Sequence, residues 1–157
     1  MKITFLTVGK TEDAYLKDGI EKYVKRLKHY TRLEIIELPE LKNTKALTPE
    51  QQKAKEAEMI LKKTGVTDHV ILLDENGMEL TSKQFAGYIN KKAVSSGVNL
   101  IFIVGGPYGF DEQVYQRAND KLSLSLMTFS HQMVRLFFTE QLYRAFTIIK
   151  GEPYHHS

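Results

Sequence analysis

The sequence contains no cysteine. Disulfides, thiolate-held metal centres and a cysteine nucleophile are therefore excluded. Its five histidines show no H-E-x-x-H or similar ligand spacing, so no metal site is expected. No apolar run approaches the roughly 20 residues of a membrane span. The apolar N-terminal stretch turns polar at Gly9-Lys10-Thr11-Glu12, too early for a secretory leader, and it alternates as a strand does. A cytoplasmic protein with no membrane and no metal partner is the expectation. Neither G-x-G-x-x-G nor G-x-x-x-x-G-K-[ST] occurs, so the usual dinucleotide and P-loop motifs are missing. Repeats, low-complexity segments and domain boundaries are also lacking, and residues 1–157 are expected to form a single domain. Positive charge is only slightly in excess, with 22 Lys and Arg against 19 Asp and Glu. That balance permits an anionic partner but does not indicate a histone-like binder.

What is present is organised around Ile101-Phe102-Ile103-Val104-Gly105-Gly106-Pro107-Tyr108-Gly109. A short apolar run that ends in glycine predicts a strand buried on both faces. The glycines permit close backbone approach to a ligand, and they equally suit a plain strand-to-helix turn. Further strands are predicted at 2–8, 33–38 and 69–74. Helices are predicted at about 12–30, from Thr48-Pro49 to about 63, from Thr81 or Ser82 to about 95, and from Asp111 to about 118. The helix near 48–63 has a thin apolar stripe and is expected to be peripheral. Asn76-Gly77 signals a tight turn and, following the carboxyl end of a buried strand, is also a candidate to line a site. Strands alternating with helices predict crossover units and a largely parallel sheet. Lys22, Lys25, Arg26, Lys28 and Arg32, interleaved with Tyr23, His29 and Tyr30, form either a solvated helix face or a phosphate-contacting patch.

In the last third, Ser123 to Phe129 alternates small polar and apolar residues and predicts a strand. A helix is predicted from His131 to about Ile149. Val134, Phe137, Phe138, Leu142, Ala145, Phe146, Ile148 and Ile149 lie on its apolar arc, and the other arc mixes Leu136, Tyr143 and Met133 with Arg135, Glu140 and Arg144. Such a helix is either a central core element or one buried a second time against another chain.

Several stretches together resemble a known family. They are Ile3-x-x-x-x-Val8-Gly9-Lys10, Leu73-Asp74-x-x-Gly77, Gly105-Gly106-Pro107-x-Gly109, Leu124-Ser125-x-Met127-Thr128-Phe129-x-His131-Gln132, Glu140 to Ala145, and Tyr154-His155. The resemblance is to the SPOUT-class ribosomal RNA large-subunit methyltransferases of type H, which methylate N3 of a pseudouridine in 23S rRNA. It implies an α/β fold with a C-terminal trefoil knot, a homodimer, S-adenosyl-L-methionine as cofactor and the ribosome as partner. General topology rules would not lead to a knot. Carried over residue by residue, the cofactor site falls on Leu73, Gly105, Leu124, Ser125, Leu126, Met127, Thr128 and Phe129. The catalytic candidates are Arg144, to stabilise negative charge on the base, His155, to accept a proton or position the base, and Tyr154, to orient or stack it. Ser130 departs from the proline the family often has there. Two other readings use the same residues: a catalytically silent rRNA- or nucleotide-binding relative, and a methyltransferase with another acceptor.

Overall fold

A computed structural model describes residues 1–95 and 97–154. Its sheet has five strands: β1 (Lys2–Val8), β2 (Arg32–Leu38), β3 (His69–Glu79), β4 (Leu100–Val104) and β5 (Asp120–Ser123). The strand order is β2-β1-β4-β3-β5, and every pairing is parallel. The helices are α1 (Ala14–Leu27), α2 (Pro49–Leu61), α3 (Ser82–Ser95), α4 (Glu112–Arg117) and α5 (Met133–Lys150).

β4 is buried along its whole length, as its sequence predicts. Its alternation divides two cores. Leu100, Phe102 and Val104 pack with Leu27 of α1, Phe85 and Ile89 of α3 and Phe138, Leu142 and Phe146 of α5. Ile101 and Ile103 face the other side, against Ala57 and Ile60 of α2 and Val114 of α4. The Phe138 ring sits between Phe5 and Phe102, with ring centroids 4.7 Å from each. α5 packs against both α1 and α3. Gly19 lets α1 approach it closely, since an added Cβ would lie 2.9 Å from Leu136 Cδ1.

Local start signals behave as the sequence suggests. Thr48 and Gln51 form a capping box ahead of Pro49, and the Asp111 side chain accepts from Gln113 N at 3.1 Å. These contacts satisfy backbone donors that a helix start leaves unpaired. Four expectations are corrected. α2 is not peripheral, because with α4 it covers the second face of the sheet. Asn76-Gly77 does not reverse the chain: β3 continues to Glu79, and its pairing with β5 shifts register between Leu73 and Met78. The extra residues loop out as a bulge, and Gly77 is pressed so closely on β5 that a Cβ would lie 2.5 Å from Lys121 C. Residues 123–129 are not a strand. β5 stops at Ser123, where Ser123 Oγ donates to Ser125 O and Ser125 Oγ accepts from Met127 N, at 2.8 and 3.0 Å. Side-chain bonds of this kind compete with a sheet ladder. Finally, α5 begins at Met133 rather than His131, after a turn in which Ser130 Oγ accepts from Met133 N at 3.1 Å.

The segment between β5 and α5 must cross the sheet. β5 is an edge strand, whereas the start of α5 is fastened to the end of β1, three strand spacings or about 14 Å away. The fastening is Arg135, whose side chain is 1% exposed. Its Nη2 donates to Val8 O (2.9 Å), Nη1 to Gly9 O (3.0 Å) and Thr11 Oγ1 (3.2 Å), and Nε to His131 O (3.1 Å). Gln132 adds a second stitch, donating to Lys10 O (3.0 Å) and accepting from Glu12 N (2.9 Å). Residues 124–132 therefore arch over the carboxyl ends of β3 and β4. An Arg135→Met variant keeps the apolar stem but leaves buried carbonyls without a donor. It is expected to lose roughly 3 kcal/mol in urea unfolding, and a loss under about 1 kcal/mol would show that the stitch does not hold the arch.

Candidate active site

Under the arch lies a cavity of about 560 Å³. Its floor is β3 at Leu73, just before the bulge, the end of β4 at Val104 and Gly105, and the end of β5 at Leu122 and Ser123. One wall is the 74–76 bulge, and another is the turn in which Gly109 N donates to Gly106 O at 3.1 Å. Gly109 takes a positive φ of 81°, which favours glycine. Gly105 is narrowly enclosed, since a Cβ there would meet Phe110 Cε1 at 3.1 Å and Gly109 O at 3.2 Å. The arch itself is tied to the bulge by Thr128 Oγ1, which donates to Glu75 Oε2 at 2.9 Å.

Of the eight residues assigned to the cofactor from sequence, Leu73, Gly105, Leu124, Ser125, Met127, Thr128 and Phe129 line this one cavity. Leu126 does not, and its side chain is 79% exposed. Sequence reasoning missed Asp74, Glu75, Tyr115 and Val134 in the lining. Position next to Leu73 pointed to the two carboxylates, but nothing local pointed to Tyr115. Its hydroxyl donates a short hydrogen bond to Asp74 Oδ2. Burial, and then that bond, push the phenol's pKa up. His131 also lines the cavity, and its carbonyl serves Arg135.

The catalytic candidates lie elsewhere. Arg144 and Tyr154 are together, but neither lines the cavity. Arg144 is about 15 Å along α5 from Val134, at roughly 1.5 Å per residue. Arg144 Nη2 donates to Glu140 Oε1, and Tyr154 OH donates to the same oxygen at 2.9 Å. The guanidinium sits over the Tyr154 ring, 5.0 Å from its centroid. The hydrogen bond to Glu140 holds Arg144 above its ordinary pKa, so it stays cationic. Burial and the contacts with Tyr23 and Glu140 raise the Tyr154 phenol. Arg144 Nε is buried and meets no acceptor among the described residues. His155, the third candidate, lies outside the described residues. Arg26 extends the cluster, with its guanidinium 5.4 Å from the Tyr143 ring centroid.

Backbone groups and small residues at the carboxyl ends of parallel strands suit a nucleotide-like ligand. Among the described residues, no group of three or more His, Asp or Glu is placed to hold a metal ion, and no helix is long and apolar enough to cross a membrane. The chain belongs to the SPOUT methyltransferase family: the family model described as "Predicted SPOUT methyltransferase" matches residues 1–155. It is therefore similar to enzymes that require a methyl donor. A protein from Cytophaga hutchinsonii named "Ribosomal RNA large subunit methyltransferase H" is 58% identical over 156 residues, covering 99% of this chain and 100% of that one. Proteins of the same name from Christiangramia forsetii and Bacteroides fragilis are 55% and 52% identical, each match covering 99% of both chains.

Behind the glycine-rich turn lies Glu56 of α2, which is 5% exposed. Its carboxyl packs on Gly106, where a Cβ would lie 2.8 Å from Oε2, and Gln52 Nε2 donates to it at 3.3 Å. Burial raises its pKa above the ordinary 4.5, with Gln52 opposing. The folded chain thus holds this proton more tightly than the unfolded chain does, and stability falls as pH rises through the window between the two values. Glu56→Gln should melt higher than wild type at pH 7, by about 1–4 °C, with the gap closing toward pH 4. A variant melting lower at pH 7 would show that the ionised carboxylate is stabilising.

Proposed function

We propose that this chain, acting as one domain in a homodimer, transfers a methyl group from S-adenosyl-L-methionine to N3 of a pseudouridine in 23S rRNA of the large ribosomal subunit. The observation that carries the proposal is full-length similarity to large-subunit rRNA methyltransferases, combined with a cavity built from seven of the eight residues that the same resemblance assigns to the donor. The donor supplies a methyl on a sulfonium, which already has its leaving group. What remains for the protein is alignment of the acceptor nitrogen with that methyl, and help for an imide N–H that is a poor nucleophile until it loses its proton.

Roles follow from the chemistry of the residues. Leu73, Gly105 and residues 124–129 hold the donor through backbone and small groups. Arg144, cationic and with an Nε–H that meets no acceptor among the described residues, stabilises the charge that spreads onto the base oxygens as N3 is deprotonated. Tyr154 orients or stacks the base, and His155 takes the proton or positions the base. A second copy of the chain is needed, because one chain holds the cavity and the Arg144 cluster about 15 Å apart along α5. Support for that copy comes from apolar side chains exposed beside the arch, with Leu126 at 79%, Met127 at 75% and Phe137 at 39%. The cavity lining contains no lysine or arginine, so phosphates must be gripped elsewhere. The basic stretch 22–32 is the candidate, together with the ribosome's own shape. The trefoil knot belongs to the same reading. Its support is the course of residues 124–132 back across the sheet from the edge strand β5 to the end of β1.

The test is transfer of labelled methyl from S-adenosylmethionine to ribosomes from a strain lacking this protein, with the nucleoside identified by mass spectrometry. Label is expected on a large-subunit pseudouridine, with far weaker transfer to an isolated hairpin. Label on another nucleoside, or equal transfer to the hairpin, would contradict the proposal. Arg144→Ala should lower transfer at least ~100-fold with donor binding retained. Wild-type turnover in that variant would remove Arg144 from the mechanism.

A further inference from the structure

Among the described residues, the lining of the cavity under the arch holds two carboxylates, Asp74 and Glu75, together with His131, and no lysine or arginine. Neither carboxylate forms an ion pair among the described residues. Asp74 is fixed in place, with Oδ1 accepting from Asn76 N at 2.8 Å and Oδ2 from the Tyr115 hydroxyl. Glu75 is oriented by Thr128, which occupies one of its oxygens and leaves the other free of any protein donor among the described residues. Lys121, a nearby cation, lines a second groove that Asp74 also borders, with its ammonium 5.6 Å from the Tyr115 ring centroid. Among the described residues, the hydrogen bonds to both carboxylates come from neutral donors, and no lysine or arginine pairs with either.

We propose that Asp74 and Glu75 make the cavity selective for charge, favouring the sulfonium donor over the thioether product. This rests on the donor reading given above. In the transfer, the S–CH3 bond breaks with its electron pair left on sulfur, the N3–CH3 bond forms, and the N3 proton leaves to base or water. The sulfur centre passes from one positive charge to none. Two fixed carboxylates attract the first species and have no such hold on the second. Fresh donor consequently displaces the spent molecule more readily than it would in an uncharged cavity. Positive charge on sulfur is already shrinking in the transition state, so the carboxylates favour the bound donor more than the transition state. Glu75→Gln should therefore raise KM for the donor without lowering kcat.

Titration calorimetry of the full-length protein with S-adenosylmethionine and with S-adenosylhomocysteine tests this. The variants are Glu75→Gln and, as a control for net charge, Glu50→Gln in the first turn of α2, outside the cavity. Glu75→Gln is expected to lower the donor-to-product affinity ratio roughly three- to tenfold, chiefly by weakening the donor. Glu50→Gln is expected to leave the ratio alone. An unchanged ratio in Glu75→Gln, or equal weakening of both ligands, overturns the inference while leaving the donor reading intact, because both ligands still bind. Failure of the wild-type protein to bind either ligand overturns the donor reading and the inference with it. Asp74→Asn carries the same expectation, with its melting temperature checking that the bulge has survived.

Discussion

One buried cation fixes the geometry of the C-terminal third. Arg135 satisfies the carbonyls at the end of β1 and the His131 carbonyl in the turn before α5, and so ties two pieces of chain that lie 126 and 127 residues apart in sequence. Burial works against its charge and lowers its pKa, with Glu37 opposing at 3.8 Å. Four hydrogen bonds offset that cost, and of the acceptors Gly9 O has a second donor, the Thr7 hydroxyl at 3.2 Å. The position of α5 follows from this contact, and so does the course of the segment before it. A chain leaving an edge strand and required to reach the middle of the sheet has to pass over the strand ends between them. The roof of the cavity is a consequence of that requirement.

On the donor reading proposed above, the roof and floor provide what a methyl donor needs and little else. Small residues and backbone groups shape the space, and the turn at Gly105–Gly109 brings backbone close without side chains. Chemistry that needs a positive charge is absent from this lining and present in the Arg144 cluster further along α5. Glu140 accepts from both Arg144 and Tyr154, so that cluster is pre-arranged. On the proposed mechanism, the separation of the two parts calls for assembly of two chains.

The sequence carries much of this architecture openly. The unbroken apolar run at 100–104, the Thr48-Pro49 start and the Asp111 cap state their structures locally, and the crossover pattern predicts the parallel sheet. Where sequence misleads, the deciding partner is distant or missing. Residues 123–129 alternate as a strand does, but Ser123 and Ser125 bond to the neighbouring backbone instead of to another strand. Asn76-Gly77 has the composition of a turn, yet β3 resumes pairing with β5 beyond it. Arg135 reads as a member of a polar arc because its acceptors belong to residues 8, 9, 11 and 131. The cofactor residues are legible only through the family resemblance. Even so, Leu126 faces outward, while Asp74 and Glu75, one and two positions beyond Leu73, are not assigned to the site.

A crystal structure of the protein with S-adenosylmethionine would test the central claim most directly. The account predicts donor density beneath residues 124–130, enclosed by the turn at Gly105–Gly109 and by the 74–76 bulge, with its sulfonium on the side of Asp74 and Glu75. Density in another groove, with this cavity left to solvent, would contradict it.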